Sequence, residues 1–333
     1  LPGVPYIPFL YPTLGHQTQE TNLFLRHAFD SLNNPYVRVE NDPTHADDLL
    51  IPHNFSSVAH RTDYLQRYAH LSSRHGKRVI VFAHGDSDAP VPLKHSIVFR
   101  TSLYRFRARE NEHAMPAYAE DLSHAHRRPL PTVPVVGFCG WAGYKSFRNV
   151  VGASVLNAYA RTLALLKGDS RYLALSKGIT FRKRAIRALQ DVHGIRTNFV
   201  IRTSYSGHVD TISGDPQQAR KEYLDTITQS DFCLAVKGDG NYSLRLYEIL
   251  SAGRIPVLFD TECVLPLEQV IDYPSFLVRV DFRSMHQLGP RILDFVSSHS
   301  EETWKSAQKK ARDAFAHYLH VPSFFQHLTN HIL

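Results

Sequence analysis

The sequence predicts two α/β domains, each built on a parallel sheet, with the sheets facing each other across a cleft. Three observations support this. The 333 residues exceed one ordinary core and suit two domains of roughly 150 residues each. A Pro-rich, basic break, His124 to Pro134 (HAHRRPLPTVP), separates two patterned regions. The second region alternates short apolar strands with helical stretches, which implies right-handed βαβ crossovers and a parallel sheet. The domains are therefore read as 1–130 and 131–300. A helical segment over 301–333 is expected to pack back on the N-terminal domain.

The elements follow in order. In the first half Asp47 to Ile51 and Arg78 to Ala83 read as buried strands, with helix Thr62 to Ser73 between them. After the break, Val133 to Phe138 is a β-branched strand followed by a turn carrying Gly140 and Gly143, then a helix from about Asn149 to Leu166. Helix Phe181 to Gln190 precedes strand Asn198 to Ile201, and helix Gln217 to Thr228 precedes strand Asp231 to Val236. Helix Tyr242 to Ala252 leads to strand Ile255 to Phe259. Leu265 to Ile271 is expected to be helical, Phe276 to Val280 a strand and Glu301 to Leu319 a helix. The continuous apolar strands fit burial on both faces.

Composition narrows the class. With 43% hydrophobic and 21% charged residues the chain reads as globular, and no apolar run approaches the roughly 18 to 20 residues that span a bilayer. The segment Leu1 to Pro12 lacks the basic and apolar regions of a signal peptide. The chain opens on Leu1 rather than Met, and the expectation is that any membrane anchor lies outside it. Cys139, Cys233 and Cys263 are too scattered for a disulfide framework and read as buried thiols, which favours a reducing compartment. The net charge of +7 fits nucleic acid, an anionic membrane surface, an anionic small ligand or a solvated basic surface. Dispersed basic residues without a nucleic-acid motif argue against the first. The twenty histidines, including His124/His126 and His317/His320, lack metal-ligand spacing, so no metal site is expected.

The chemistry concentrates in Ser230 to Tyr273. Its loop Lys237-Gly238-Asp239-Gly240-Asn241 opens directly onto a helix start. Glycines there let backbone approach a ligand, and the helix start offers N–H groups and a positive dipole end. Ser243 adds a hydroxyl, Lys237 a point charge and Arg245 a fork for phosphate oxygens. Glu248, three residues after Arg245, shares its face and suits ribose hydroxyls; a surface ion pair between the two is the plain alternative. Arg184 and Arg187 on the preceding helix are a second candidate clamp.

These residues resemble the exostosin-type glycosyltransferases. The resemblance runs through Phe232-Cys233-Leu234, Lys237-Gly238, Ser243-x-Arg245-x-x-Glu248, Ala252-Gly253-x-x-Pro256-Val257, Leu265-Pro266 and Val270-Ile271-Asp272. It is fainter in the first half, at Asp47 to His53, Val79 to Asp88, Phe99 to Ser102, Asn111-Glu112 and Met115-Pro116, and covers about residues 45 to 285. It implies the GT-B fold, two Rossmann-like domains with the donor on the C-terminal side and a glycan acceptor on the other. It also implies inverting transfer from a nucleotide-sugar, most often a UDP-sugar, in polysaccharide or glycoconjugate synthesis. No further cofactor is implied. The setting would be the cytoplasmic face in a bacterium or the Golgi lumen in a eukaryote. The alternative within the family is a non-catalytic glycan-binding or partner subunit.

Inverting displacement needs stabilisation of the leaving diphosphate and a base for the attacking hydroxyl. The first role falls to Lys237, Arg245 and the helix start, with Gly238, Asn241 and Ser243 as further donor-binding candidates. The base should follow a strand of the N-terminal sheet. Asp86 is the first choice, with Glu112 and Asp88 behind it; His53, His84 and Arg100 are further acceptor-side candidates. Asp86 and Asp88 form a D-x-D, which binds a metal–nucleotide complex elsewhere but is not expected to do so in this fold. Loops Gly140 to Lys145 and Tyr205 to Asp210 are expected to read the sugar.

Overall fold

The structure, a computed structural model, describes residues 1, 3–15, 25, 28–29, 38–144, 147–205, 212 and 214–331. Two parallel sheets form. The first holds β1 (Leu49–Leu50), β2 (Val79–Ala83), β3 (Ser96–Arg100) and β4 (Glu112–Ala114), in that order. The run VIVFA and the IVF centre of β3 are apolar without alternation, as strands covered on both faces require, and every residue of β3 is buried. Helix α1 (Thr62–His75) joins β1 to β2 and stops at Gly76, whose φ of 65° gives the left-handed cap that glycine favours.

The second sheet has the order β6-β5-β7-β8-β9. Its strands are β5 (Val135–Trp141), β6 (Arg196–Arg202), β7 (Phe232–Val236), β8 (Ile255–Asp260) and β9 (Val278–Asp281), all parallel. Helices α2 (Phe147–Lys167), α3 (Gly178–Gln190), α4 (Pro216–Thr228) and α5 (Leu244–Ser251) make the crossovers. The chain leaves β5 for β6 on one side and returns to β7 on the other, which creates a switch point between β5 and β7.

Three expectations need correction. Leu265 to Ile271 is a run of turns, not a helix. Leu267 sits at φ 53°, which an α-helix cannot pass through. The helix expected over Glu301 to Leu319 is α-helical only to Ala314, as the helix Glu301–Ala314, and continues as a π-helical turn over Phe315–Leu319. Strands β3 and β4 were not anticipated, because the 84–95 and 101–111 connections carry no α-helix and so give no alternating pattern.

After β9 come α6 (Leu288–Ser297), α7 (Glu301–Ala314) and, beyond the π turn, α8 (Val321–His331). A reciprocal cap between Ser300 and Thr303 starts α7. Trp304 and Gln308 on α7 each donate to the Arg128 carbonyl, at 3.0 and 2.7 Å, and so pin the Pro-rich connection. The chain then crosses back to the first sheet. Phe325 on α8 packs at a tilt on Phe9 and edge-on to Phe82, with ring centroids 4.3 and 5.4 Å away. All three cysteines are free and buried. No helix among the described residues is long and apolar enough to cross a membrane.

Candidate functional site

A cleft of about 460 Å³ opens at the carboxyl ends of β5 and β7, at the switch point. Gly140 and Trp141 at the end of β5, Gly238, Asp239, Tyr242 and Ser243 after β7, Arg182 on α3 and Arg245 on α5 line it, and Asp86 reaches in from the first sheet.

The start of α5 carries the most distinctive chemistry. Ser243 holds the N-cap position, yet its hydroxyl makes no capping bond. First-turn N–H groups have no partner within a helix, so the cleft wall here is a cluster of donors at a positive dipole end. Arg245 donates from Nη2 to the Cys139 carbonyl at 2.5 Å and lies over the Phe138 ring at 4.5 Å, while its Nε has no partner. A Cβ on Gly140 would stand 2.6 Å from Arg245 Nη2, so a side chain there would push the guanidinium from its present place. Arg182 donates to the carbonyls of Lys237 and Trp141, both at 3.1 Å. Burial, with the like charge of Arg245 beside it, draws its pKa down to about 10, so it stays cationic at neutral pH. Two guanidinium groups thus share the cleft, and neither meets a carboxylate at hydrogen-bond distance among the described residues.

Glu248 does not pair with Arg245. It is buried, and its two oxygens accept from Arg220 Nη1 at 2.8 Å and Tyr223 Oη at 2.5 Å. Arg220 in turn donates to Glu120 at 2.6 Å. The i,i+3 surface pair left open by the sequence is not formed.

Lys237 and Asn241 turn away from the cleft and knit the two sheets together. Lys237 Nζ donates to Tyr104 Oη at 2.7 Å and to the Ala174 carbonyl at 2.8 Å. Burial lowers its pKa to about 7. Asn241 donates from its backbone to Ser102 Oγ and from Nδ2 to the Leu103 carbonyl, and accepts from Thr261. Tyr104 forms an antiparallel bridge with Cys263. The segment after β3 is thereby sewn into the loops after β7 and β8. Gly238 remains on the cleft wall.

Of the acceptor-side candidates, all of them described, Asp86 alone lines the cleft. Its Oδ1 accepts the Gly240 N–H at 2.9 Å. A Cβ on Gly240 would fall 2.6 Å from the Asp86 Cα, so glycine allows this approach. Part of Asp86 faces solvent, but closure of the donor loop over its carboxyl desolvates it and raises its pKa, against the pull of the Gly240 N–H. Asp88 pairs with Arg107 at 2.7 Å, so the D-x-D carboxylates go separate ways. Glu112 is buried in ion pairs with Arg100 at 2.8 Å and Arg109 at 3.0 Å. Arg100, fully buried, also donates to the Ala89 carbonyl. His53 shares a hydrogen bond with the Pro5 carbonyl through Nδ1 and stacks on Tyr6. The His84 ring lies between Phe82 and Tyr118, and burial lowers its pKa to about 4. No group of His, Cys, Asp and Glu suited to a metal occurs among the described residues.

Arg184 and Arg187 lie exposed on α3 and do not reach the cleft, which corrects their expected place. Arg182, which sequence reasoning missed, takes it instead. The signal was available: Phe181, Ala185 and Leu189 form the buried ridge of α3, and Ile179 with Arg182, three residues apart, fall on the neighbouring strip that faces the cleft. Of the two loops expected to read the sugar, Lys145 and residues 206–210 lie outside the described residues.

Two parallel sheets joined at a cleft with a cationic helix start define the GT-B class of α/β protein. The Exostosin GT47 domain matches residues 167–294, which contain every donor-side candidate and none from the acceptor side. The Exostosin-1 homolog of Caenorhabditis elegans is 30% identical over 114 residues, 34% of this chain and 28% of that protein. Exostosin-1 of Drosophila melanogaster is 38% identical over 69 residues, 21% of this chain and 9% of that protein. The chain therefore spans less than a third of the length of these curated relatives. Among solved structures, a glycosyltransferase from Rickettsia africae ESF-5 superposes with a TM-score of 0.37 at 12% identity, covering 80% of this chain and 79% of that one. Over residues 167–294 the chain is thus similar to the exostosin glycosyltransferases.

Proposed function

We propose that this protein is an inverting glycosyltransferase that moves a sugar from a nucleotide-sugar, a UDP-sugar in the first instance, to a glycan acceptor. The observation that carries the proposal is the pair Arg182 and Arg245, which share the cleft with the uncapped start of α5 and meet no carboxylate there. Like charges held together in a desolvated site are stable when an anion sits between them, and a diphosphate suits that place.

In this reading the diphosphate lies against Ser243, the first turn of α5 and the two arginines. These take up the charge of the leaving group as the glycosidic bond breaks. Glu248 keeps lone pairs beyond those used by Arg220 and Tyr223, and accepts from the ribose hydroxyls. Asp86, with a raised pKa and a place on the opposite wall, takes the proton of the attacking hydroxyl. Lys237 and Asn241 act at one remove, by holding the loop against the N-terminal sheet. Because protein cations supply the positive charge, transfer is proposed to run without a metal, and a chelator should leave turnover unchanged.

Calorimetric titration with UDP and other nucleoside diphosphates tests the donor half, and absence of binding to all of them would refute it. Transfer with Asp86→Asn tests the other half. The expected result is unchanged UDP affinity and turnover about 10² to 10⁴ lower, the usual worth of a general base. UDP binding without turnover on a broad acceptor panel would favour the partner-subunit alternative.

A further inference from the structure

Behind Glu248 stands an arginine that does not itself reach the cleft. Glu248 lies on α5, and the two side chains that donate to its carboxylate both come from α4. Arg220 and Tyr223 are three residues apart and share one face of that helix, with the Arg220 guanidinium 5.2 Å from the centre of the Tyr223 ring. Asp215 fixes where the face begins, since its carboxylate caps the Gln217 and Gln218 N–H groups and Pro216 opens the helix. Glu248 Oε1 takes Arg220 and Oε2 takes Tyr223, one donor to each oxygen. Burial, with the charge of Glu248 beside it, raises the Tyr223 pKa well above the usual phenol value, so its hydroxyl stays protonated and keeps donating.

The other side of Arg220 is anchored to the same helix. Its Nη2 donates at 2.6 Å to Glu120, in the segment that follows β4. Ser251, the last residue of α5, donates to the Glu120 carbonyl and accepts the Leu122 N–H, both at 3.2 Å. Arg220 therefore bridges two carboxylates that are both fixed to α5, a span that suits the planar fork of a guanidinium better than the point charge of an ammonium. Glu248 and Tyr223 line the cleft and Arg220 does not, so any effect of Arg220 on a ligand passes through Glu248. The bridge also fixes what Glu248 can offer. Arg220 balances its charge, yet an ionised carboxylate has about four lone-pair sites, and one remains on each oxygen. Two adjacent acceptors fit two adjacent hydroxyls.

We infer that Arg220 is a positioning residue that makes the site select ribonucleotides over 2′-deoxyribonucleotides. It does so by holding Glu248 with one free acceptor on each oxygen, so that the 2′ and 3′ hydroxyls are read as a pair. This inference rests on the nucleotide reading of the cleft given above. Glu248 is only 2% exposed, so a ligand without the 2′ hydroxyl leaves one of its oxygens unsatisfied away from water, and an unpaired buried acceptor is what rejects such an analogue. Without Arg220 the carboxylate loses one of its two fixed contacts, is free to turn, and no longer meets both hydroxyls at once.

Calorimetric titration with UDP and with 2′-deoxy-UDP tests it. The native chain should bind UDP about 10- to 100-fold more tightly than the deoxy form, the worth of one hydrogen bond to a charged group. Arg220→Met should bring that ratio down to about threefold or less. General damage to the cleft would weaken both ligands by the same factor and leave the ratio as it was, so the ratio reports positioning rather than folding. Tyr223→Phe removes a single hydroxyl, and Glu120→Gln keeps the Arg220–Glu248 pair while weakening its anchor. Each should lower the ratio by a smaller factor, which keeps the test open should Arg220→Met fail to fold. An unchanged ratio in the folded variants, or equal binding of the two ligands by the native chain, would overturn the inference and leave the diphosphate site standing. Binding of neither ligand would instead refute the nucleotide reading, and the inference with it.

Discussion

The carboxyl ends of both sheets carry charged residues, but Arg100 and Arg245 are used in opposite ways. Around the ends of β2 and β3, Arg100 is closed off by Glu112, Glu112 by Arg109, and Asp88 by Arg107. After β5 and β7, Arg182 and Arg245 rest on backbone carbonyls alone, and Ser243 caps nothing. These N-terminal charges are spent on the fold, as are Lys237 and Glu248 across the cleft, while Arg182 and Arg245 are left over from it. A charge that the fold does not use is the better guide to a ligand, because retaining it there costs desolvation that only binding repays. Asp86 is the N-terminal exception, and it is the residue there that reaches the cleft.

The sharpest way to break the comparison is to treat both regions alike. Glu112→Ala leaves Arg100 buried without its counter-charge, which should cost about 3–5 kcal/mol of stability, read by urea unfolding. The folded fraction should bind UDP as before. Arg245→Ala should do the reverse. Its UDP affinity should fall about 30- to 1000-fold, corresponding to about 2–4 kcal/mol for a desolvated charged contact, while stability holds or rises as two like charges are relieved. If Arg245→Ala lowers stability as much as Glu112→Ala, the distinction between spent and unspent charge fails.

The pH dependence separates the regions further. Lys237 has a folded pKa of about 7, below the value near 10.4 of a free lysine. Between those values the unfolded chain holds a proton that the folded chain lacks, so stability should rise with pH, on the order of 1.4 kcal/mol per pH unit. Below about 7 both states are protonated and this contribution to the slope vanishes. Lys237→Met should flatten the alkaline rise. His84, with a folded pKa of about 4, acts in another window. Its contribution is complete above about 6.5 and is lost as pH falls toward 4, and His84→Phe should remove that acid-side loss. Thermal melts across pH for the two variants separate the two windows.

Legibility in the sequence differed between the regions for the same physical reason. In the C-terminal sheet the crossover helices alternate with the strands in sequence, so local pattern carried the fold: β7 and β8 were expected within a residue of where they lie. The N-terminal sheet is covered from a distance, by Phe9 at one end of the chain and Phe324 and Phe325 at the other, and no local alternation announces β3 or β4. In the site, the loop and helix start were visible because glycine spacing and cap position are local. The inward turn of Lys237 toward Tyr104 was not visible, since its partner is 133 residues away. Arg182 was overlooked in favour of Arg184 and Arg187 because charge was counted before helical face.

The smallest predicted effect tests the contrast most specifically. A serine at a helix N-cap ordinarily contributes about 1 kcal/mol through its hydroxyl, and its loss to alanine destabilises the protein by that amount. Ser243 makes no such bond, so Ser243→Ala should leave the urea midpoint unchanged. The same hydroxyl stands on the cleft wall beside Arg245. If it serves the diphosphate, the variant should bind UDP about fivefold more weakly, the worth of one hydrogen bond near 1 kcal/mol. Destabilisation with unchanged affinity would return Ser243 to the ordinary capping role and leave the two arginines to hold the anion without it. Loss of affinity at constant stability would show that the helix start, like the arginines, has been kept free of the fold.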